Sequence, residues 1–80
     1  ALSLARQALD TGGSAPTILN AANEVAVDNF LSKRIGFLDI ARIVSETLNS
    51  VSVGKLENLD DVALADKEAR KVAEEFAKKL

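Results

Sequence analysis

Asn20, Asn23 and Glu24 lie close together in the stretch LNAANEVAVDNFLSKRIGF, residues 19–37. Amides and carboxylates of this kind can ligate a hard cation, hydrogen-bond a polar substrate or carry a proton. They can equally join helices to one another. Acids also pair at Asp60–Asp61 and Glu74–Glu75, and the glycine-containing stretch TGGSAP spans residues 11–16. Each of these features has to be weighed against the chemistry it would serve.

The chemistry finds few partners. The chain has no histidine and no cysteine. That removes the commonest general base, the commonest transition-metal ligand and every thiolate site. It also removes disulfides, which fits a reducing compartment. Ser3, Ser14, Ser32, Ser45, Ser50 and Ser52 have no histidine to activate them, and no serine–lysine spacing stands out. Neighbouring acids on a helix point in different directions, so the two acidic pairs read as solvated or capping groups. TGGSAP lacks the Lys-Ser/Thr of a phosphate loop and the spacing of a dinucleotide fingerprint, so it reads as a helix break. Catalytic, cofactor-binding and metal-binding residues are therefore expected to be none within this chain.

Composition narrows the remaining classes. Eighty residues fit one domain, 1–80, and leave no room for a second core. The charged fraction of 28% and apolar fraction of 48% are those of an ordinary globular protein. The net charge of −2 disfavours nucleic acid as a partner. The basic residues Arg6, Lys33, Arg34 and Arg42 are balanced by acids, and the three phenylalanines fall on core stripes, which leaves no stacking platform. No segment approaches the ~20 apolar residues needed to cross a bilayer, so no membrane partner is expected. The first residues, ALSLARQALD, enter an apolar-periodic pattern at once, without a methionine, and read as a piece of something longer.

The elements that would position these residues are helices. Leu2, Ala5 and Leu9 have helical spacing and predict a helix over Ala1–Asp10. Gly12 and Gly13 end it. Pro16 suits the first turn of a second helix, with Ala15 the expected cap and Ser14 its competitor. On that helix Ile18, Leu19, Ala21, Ala22, Val25, Ala26 and Phe30 share one broad arc, with Val27 and Leu31 on the other side. It is expected to be the central, most buried element. Asn29 falls in the middle of the apolar arc, a local conflict that facing a partner surface rather than the core would relieve, and Asn23 falls at its edge. Buried amides satisfied by protein groups are the expected state of Asn20 and Asn23.

Lys33 and Arg34 complement the end of that helix, and Gly36 is the expected reversal point. Phe37, Ile40, Ala41, Val44 and Leu48 predict the stripe of a third helix, with Ile43 and Thr47 adjacent and Asp39 near its start. Residues 51–57 read as a loop. Asn58 caps a short helix, LDDVALA, with Asp61 at the capping-box position. Asp66 is expected to end that short helix and start the last one, striped by Ala69, Val72, Ala73, Phe76 and Leu80, with Glu74–Lys78 as an outer-face pair. The fold class is all-α: a small antiparallel bundle of four main helices plus a short helix.

The order LNAANEVAV, an apolar FL, a basic turn and IGFLDIA with a following IV and TL resembles the C-terminal domain of the 1-deoxy-D-xylulose 5-phosphate reductoisomerase family. The later LDDVALADKEAR resembles that family's tail, so the likeness covers almost the whole chain. Asn29 departs from it, standing where the family more often has a small apolar residue, as does Gly36, where the turn is often polar. The resemblance implies a structural, catalytically inert domain of a larger enzyme of non-mevalonate isoprenoid biosynthesis. That enzyme uses NADPH and a divalent metal, Mg or Mn, and forms 2-C-methyl-D-erythritol 4-phosphate. The family's metal-binding acids, phosphate-binding residues and nucleotide loop lie upstream, so no catalytic residue carries over. The implied partners are the remaining domains of the same enzyme, with weak self-association through an exposed docking face. The implied location is a bacterial cytoplasm, or a plastid. The competing reading is a free-standing helical interaction module, with Val27 and Leu31 meeting a partner.

Overall fold

The computed structural model describes Arg6 and residues 12–80. The helix expected over Ala1–Asp10 lies outside the described residues apart from Arg6, which is helical and exposed. Among the described residues there are three helices and no strand: α1 (Ala15–Leu31), α2 (Phe37–Ser50) and α3 (Leu59–Lys78). The all-α class holds. The expected count does not, because LDDVALA and the last helix form one continuous helix of 20 residues. No glycine or proline interrupts residues 59–80, and Ala, Leu, Glu and Lys dominate them. Asp66 sits inside α3 and turns its carboxylate to Arg70, one turn on, instead of capping backbone.

α1 and α2 run antiparallel across the turn of residues 32–36, as the short connection predicts. α3 then runs parallel to α1, since Glu24 meets Arg70 and Asn29 meets Glu74. The result is an up-down-up bundle. α1 is its central element and buries Ala15, Ile18, Ala21, Ala22, Val25, Ala26 and Asn29. One cluster joins Ala22, Val25 and Ala26 to Ile35, Ile43, Val44, Ala73 and Ala77. A smaller one joins Ile18 and Ala21 to Val51 and Ala69. Alanines at every fourth position of α3, Ala69, Ala73 and Ala77, let its backbone approach α1 closely.

Several local expectations are corrected. The buried stripe of α2 is Ile43, Val44 and Thr47, with Ile40 and Leu48 half-buried; Phe37 and Ala41 are exposed. The arc is rotated toward the residues that flanked the expected stripe, and Thr47 is tolerated in the core because its hydroxyl donates to the Ile43 carbonyl at 2.8 Å. On α3, Leu80 lies beyond the helix and is 44% exposed, whereas Ala77 is buried. Glu74 does not form the outer-face pair with Lys78 but turns inward to Asn29.

The caps also differ in detail. Ser14, not Ala15, is the N-cap of α1, and Pro16 follows at the second helical position. The Ser14 hydroxyl makes no bond to its own helix; it accepts the Gly54 N–H at 3.0 Å, while the Ser14 N–H donates to the Gly54 carbonyl at 2.8 Å. This two-bond bridge pins the residue 51–57 loop to the start of α1. Gly13 makes it possible: its φ is +55°, and a Cβ there would stand 2.5 Å from the Gly54 carbonyl oxygen. At the far end, Lys33 and not Gly36 takes the left-handed conformation, with φ 63°. The Lys33 N–H donates to the Phe30 carbonyl and the Arg34 N–H to the Asn29 carbonyl, each at 2.9 Å. That is the paired-bond Schellman closure. Gly36 instead caps α2, its N–H donating to the Asp39 carboxylate at 2.9 Å. The Asn58 side chain accepts the Asp61 N–H at 2.9 Å, as expected, and Asp61 returns a bond to the Glu57 N–H at 3.0 Å.

Candidate functional site

The amides and acids that opened the question separate into two groups. Asn20 and Asn23 are exposed, which corrects the expectation that they are buried. Asn20 donates to the Glu24 carboxylate at 3.0 Å, one turn along α1. The same carboxylate oxygen accepts from Arg70 Nη2 at 3.2 Å, and Arg70 Nε donates to Asp66 at 2.8 Å. A polar chain Asn20–Glu24–Arg70–Asp66 therefore ties α1 to α3 along their shared edge. Arg70 has its pKa raised above the usual guanidinium value, chiefly by its hydrogen bond to Asp66, with partial burial opposing and the charges of Asp66 and Glu24 reinforcing. The hub of this chain, Arg70, was not singled out from sequence. Its signal was present in the Asp66–Arg70 spacing of one helical turn.

Asn29 forms the second group. It is buried in the core rather than turned to a partner surface. Its amide donates to the Val25 carbonyl at 2.8 Å and to Glu74 Oε1 at 3.2 Å. The conflict is thereby resolved inside the protein: the amide bridges α1 and α3. Among the described residues every buried side-chain nitrogen or oxygen has a hydrogen-bond partner. None is left aimed at an absent ligand.

The remaining candidates are equally occupied. At the TGGSAP break, the Ser14 N–H is taken by Gly54 and the Ala15 N–H donates to the Gly12 carbonyl at 3.1 Å. Pro16 has no N–H, so at most the Thr17 N–H remains for an anion. Asp61 is engaged in capping, Asp60 and Glu75 are exposed, and Glu74 serves Asn29. Arg42 pairs with Glu46 at 3.5 Å. Among the described residues no three His, Cys, Asp or Glu side chains stand together as metal ligands. No described helix is long and apolar enough to cross a membrane. A shallow, open groove runs between the first turns of α1 and α3, lined by Pro16, Thr17, Asn20, Leu59, Val62, Ala63 and Asp66. It carries one acid and no cation, which does not suit a phosphorylated ligand.

Among the described residues the molecule is thus a small helical bundle whose buried polar side chains are bonded within it. Residues 1–72 match the model of the DXP reductoisomerase C-terminal domain, and the chain belongs to that family. It is 61% identical over 76 residues to 1-deoxy-D-xylulose 5-phosphate reductoisomerase of Rhodospirillum centenum, covering 95% of this chain and 19% of that protein. The corresponding enzyme of Pseudomonas paraeruginosa is 58% identical over 72 residues, covering 90% of this chain and 18% of its own length. Among solved structures, 1-deoxy-D-xylulose 5-phosphate reductoisomerase from Zymomonas mobilis in complex with NADPH superposes with a TM-score of 0.95 at 46% identity. That match covers 99% of this chain and 21% of the other. The chain spans about one fifth of the length of the curated relatives it matches.

Proposed function

We propose that this chain is the helical C-terminal domain of a 1-deoxy-D-xylulose 5-phosphate reductoisomerase. The whole enzyme would isomerise and reduce its sugar phosphate to 2-C-methyl-D-erythritol 4-phosphate with NADPH and a divalent metal, in a bacterial cytoplasm. The observation that carries the reading is the 61% identity to a relative in which this chain fills 19% of the length. Within that enzyme the domain acts as a rigid support for the catalytic portion and contributes no ligand to metal, cofactor or substrate. Two features favour this division of labour. Among the described residues the buried polar side chains are all engaged within the bundle, and Asp61, Asp66 and Glu74 are each taken up by a bond to the protein.

The test has two arms. The 80-residue chain, mixed with NADPH, Mg or Mn and the sugar phosphate, is expected to oxidise no NADPH. Turnover by the fragment overturns the assignment of an inert support. The full-length protein under the same conditions is expected to oxidise NADPH, and its failure to do so overturns the enzyme assignment. Detached from its partner domains, the fragment is expected to self-associate weakly, read as a concentration-dependent sedimentation coefficient.

A further inference from the structure

Among the described residues, five large apolar side chains are well over half exposed: Leu59 and Leu64 on α3, at 85% and 65%, and Leu31, Phe37 and Leu38, at 70%, 70% and 85%. Only the last three stand beside an aromatic pair. They sit together at one end of the bundle, around the α1–α2 turn. The Phe30 and Phe37 rings meet edge to face, with centroids 5.7 Å apart, and Leu31 and Leu38 are their next residues in the chain. We propose that this patch is the surface on which the upstream catalytic portion of the same polypeptide docks. The inference rests on the reading of the chain as one domain of a longer enzyme.

Three observations favour that occupant. First, the patch is built on a rigid turn. Lys33 is held at a φ of 63°, the Schellman bonds close α1, and Asp39 caps α2 through Gly36. A non-glycine residue in the left-handed region is uncommon, and the turn fixes the apolar residues in place before any partner arrives. Second, Lys33 and Arg34 are exposed beside the patch, and neither forms an ion pair among the described residues. The fitting partner surface is therefore apolar at its centre and acidic at its rim. Third, three side chains cover far less than the ~800 Å² per partner that a stable interface between separate chains needs. A covalently tethered partner binds at a high effective concentration, so a small patch suffices. Relatives carry about four fifths of their length outside the matched region, which supplies such a partner.

The experiment uses the full-length enzyme with single cysteines placed by Leu31→Cys, Phe37→Cys and Leu38→Cys, and by Glu75→Cys as an exposed reference on α3. Maleimide labelling rates are compared on a background without other reactive thiols. Labelling at positions 31, 37 and 38 is expected to be at least about tenfold slower than at 75 and unchanged by dilution, since a buried thiol reacts only when exposed. Rates equal to the reference overturn the proposal. Protection that fades on dilution also overturns it, because it assigns the surface to a second copy. NADPH oxidation by the parent enzyme tests the functional reading separately: an active enzyme with fast labelling sinks the docking surface and leaves the enzyme assignment standing.

Discussion

Asn29 shows how one side chain can satisfy two demands. It lies on the buried face of α1, where an unpaired amide costs ~1–3 kcal/mol, and it avoids that cost by bonding Val25 on its own helix and Glu74 on α3. Asn29→Ala is expected to destabilise the domain by about 1–2 kcal/mol in urea unfolding. A double-mutant cycle with Glu74→Ala should return a coupling of about 0.5–1.5 kcal/mol. A coupling near zero would show that the two side chains are neighbours without interacting. Gly13 is constrained by space and dihedral together. Gly13→Ala, with φ +55° and a Cβ 2.5 Å from the Gly54 oxygen, is expected to lose about 2 kcal/mol or more. Lys33 presents the opposite case. Glycine would relieve the left-handed strain of about 1 kcal/mol but would enlarge the unfolded ensemble, so Lys33→Gly is expected to raise stability by about 0.5 kcal/mol.

At the scale of the element, α3 is the instructive helix. Asp66 has the residue type of a cap, yet a cap needs a chain that turns away, and nothing in residues 59–80 makes it turn. Its start is fixed by Asn58, whose side chain accepts the Asp61 N–H, and Asp60 and Asp61 add charge favourable to the helix dipole. Asn58→Ala is expected to cost about 1 kcal/mol and to raise amide exchange in the first turn of α3 while leaving the turns around Ala73 protected. The middle of the same helix is sensitive to volume. Ala73 is fully buried in the cluster with Ala22 and Ala26, so Ala73→Leu is expected to push α3 from α1 and cost about 1–3 kcal/mol in thermal unfolding.

For the whole molecule, α1 and α3 are held by apolar contact on one side and by the Asn20–Glu24–Arg70–Asp66 chain along the edge. The Arg70 side chain is 39% exposed, so the ion pairs are screened by water and contribute at most about 1 kcal/mol. Because its folded pKa is raised above an already high value, the contribution of its charge is fully present below the unfolded pKa and is lost only as pH rises through the folded one. Arg70→Ala is therefore expected to cost up to about 1 kcal/mol, with the loss shrinking as salt is added. Deprotonation of the guanidinium plays no part in this near neutral pH. A salt-independent loss would point to packing of the arginine stem rather than charge.

The sequence by itself determined the helical class, the central place of the second helix, the cap at Asn58 and the acid Asp39 near the start of the next helix. These follow from short-range rules: apolar residues recur with the helical period, and capping side chains reach backbone only a few residues away. It also carried a family likeness across most of its length. The tertiary structure decided which asparagine is buried, because Asn20 and Asn29 differ in what α3 brings to them and not in residue type. It decided that Lys33 and not Gly36 reverses the chain. Each of these outcomes depends on how groups on different helices, or on both sides of a turn, are placed in space, and residue spacing along one helix does not encode that placement.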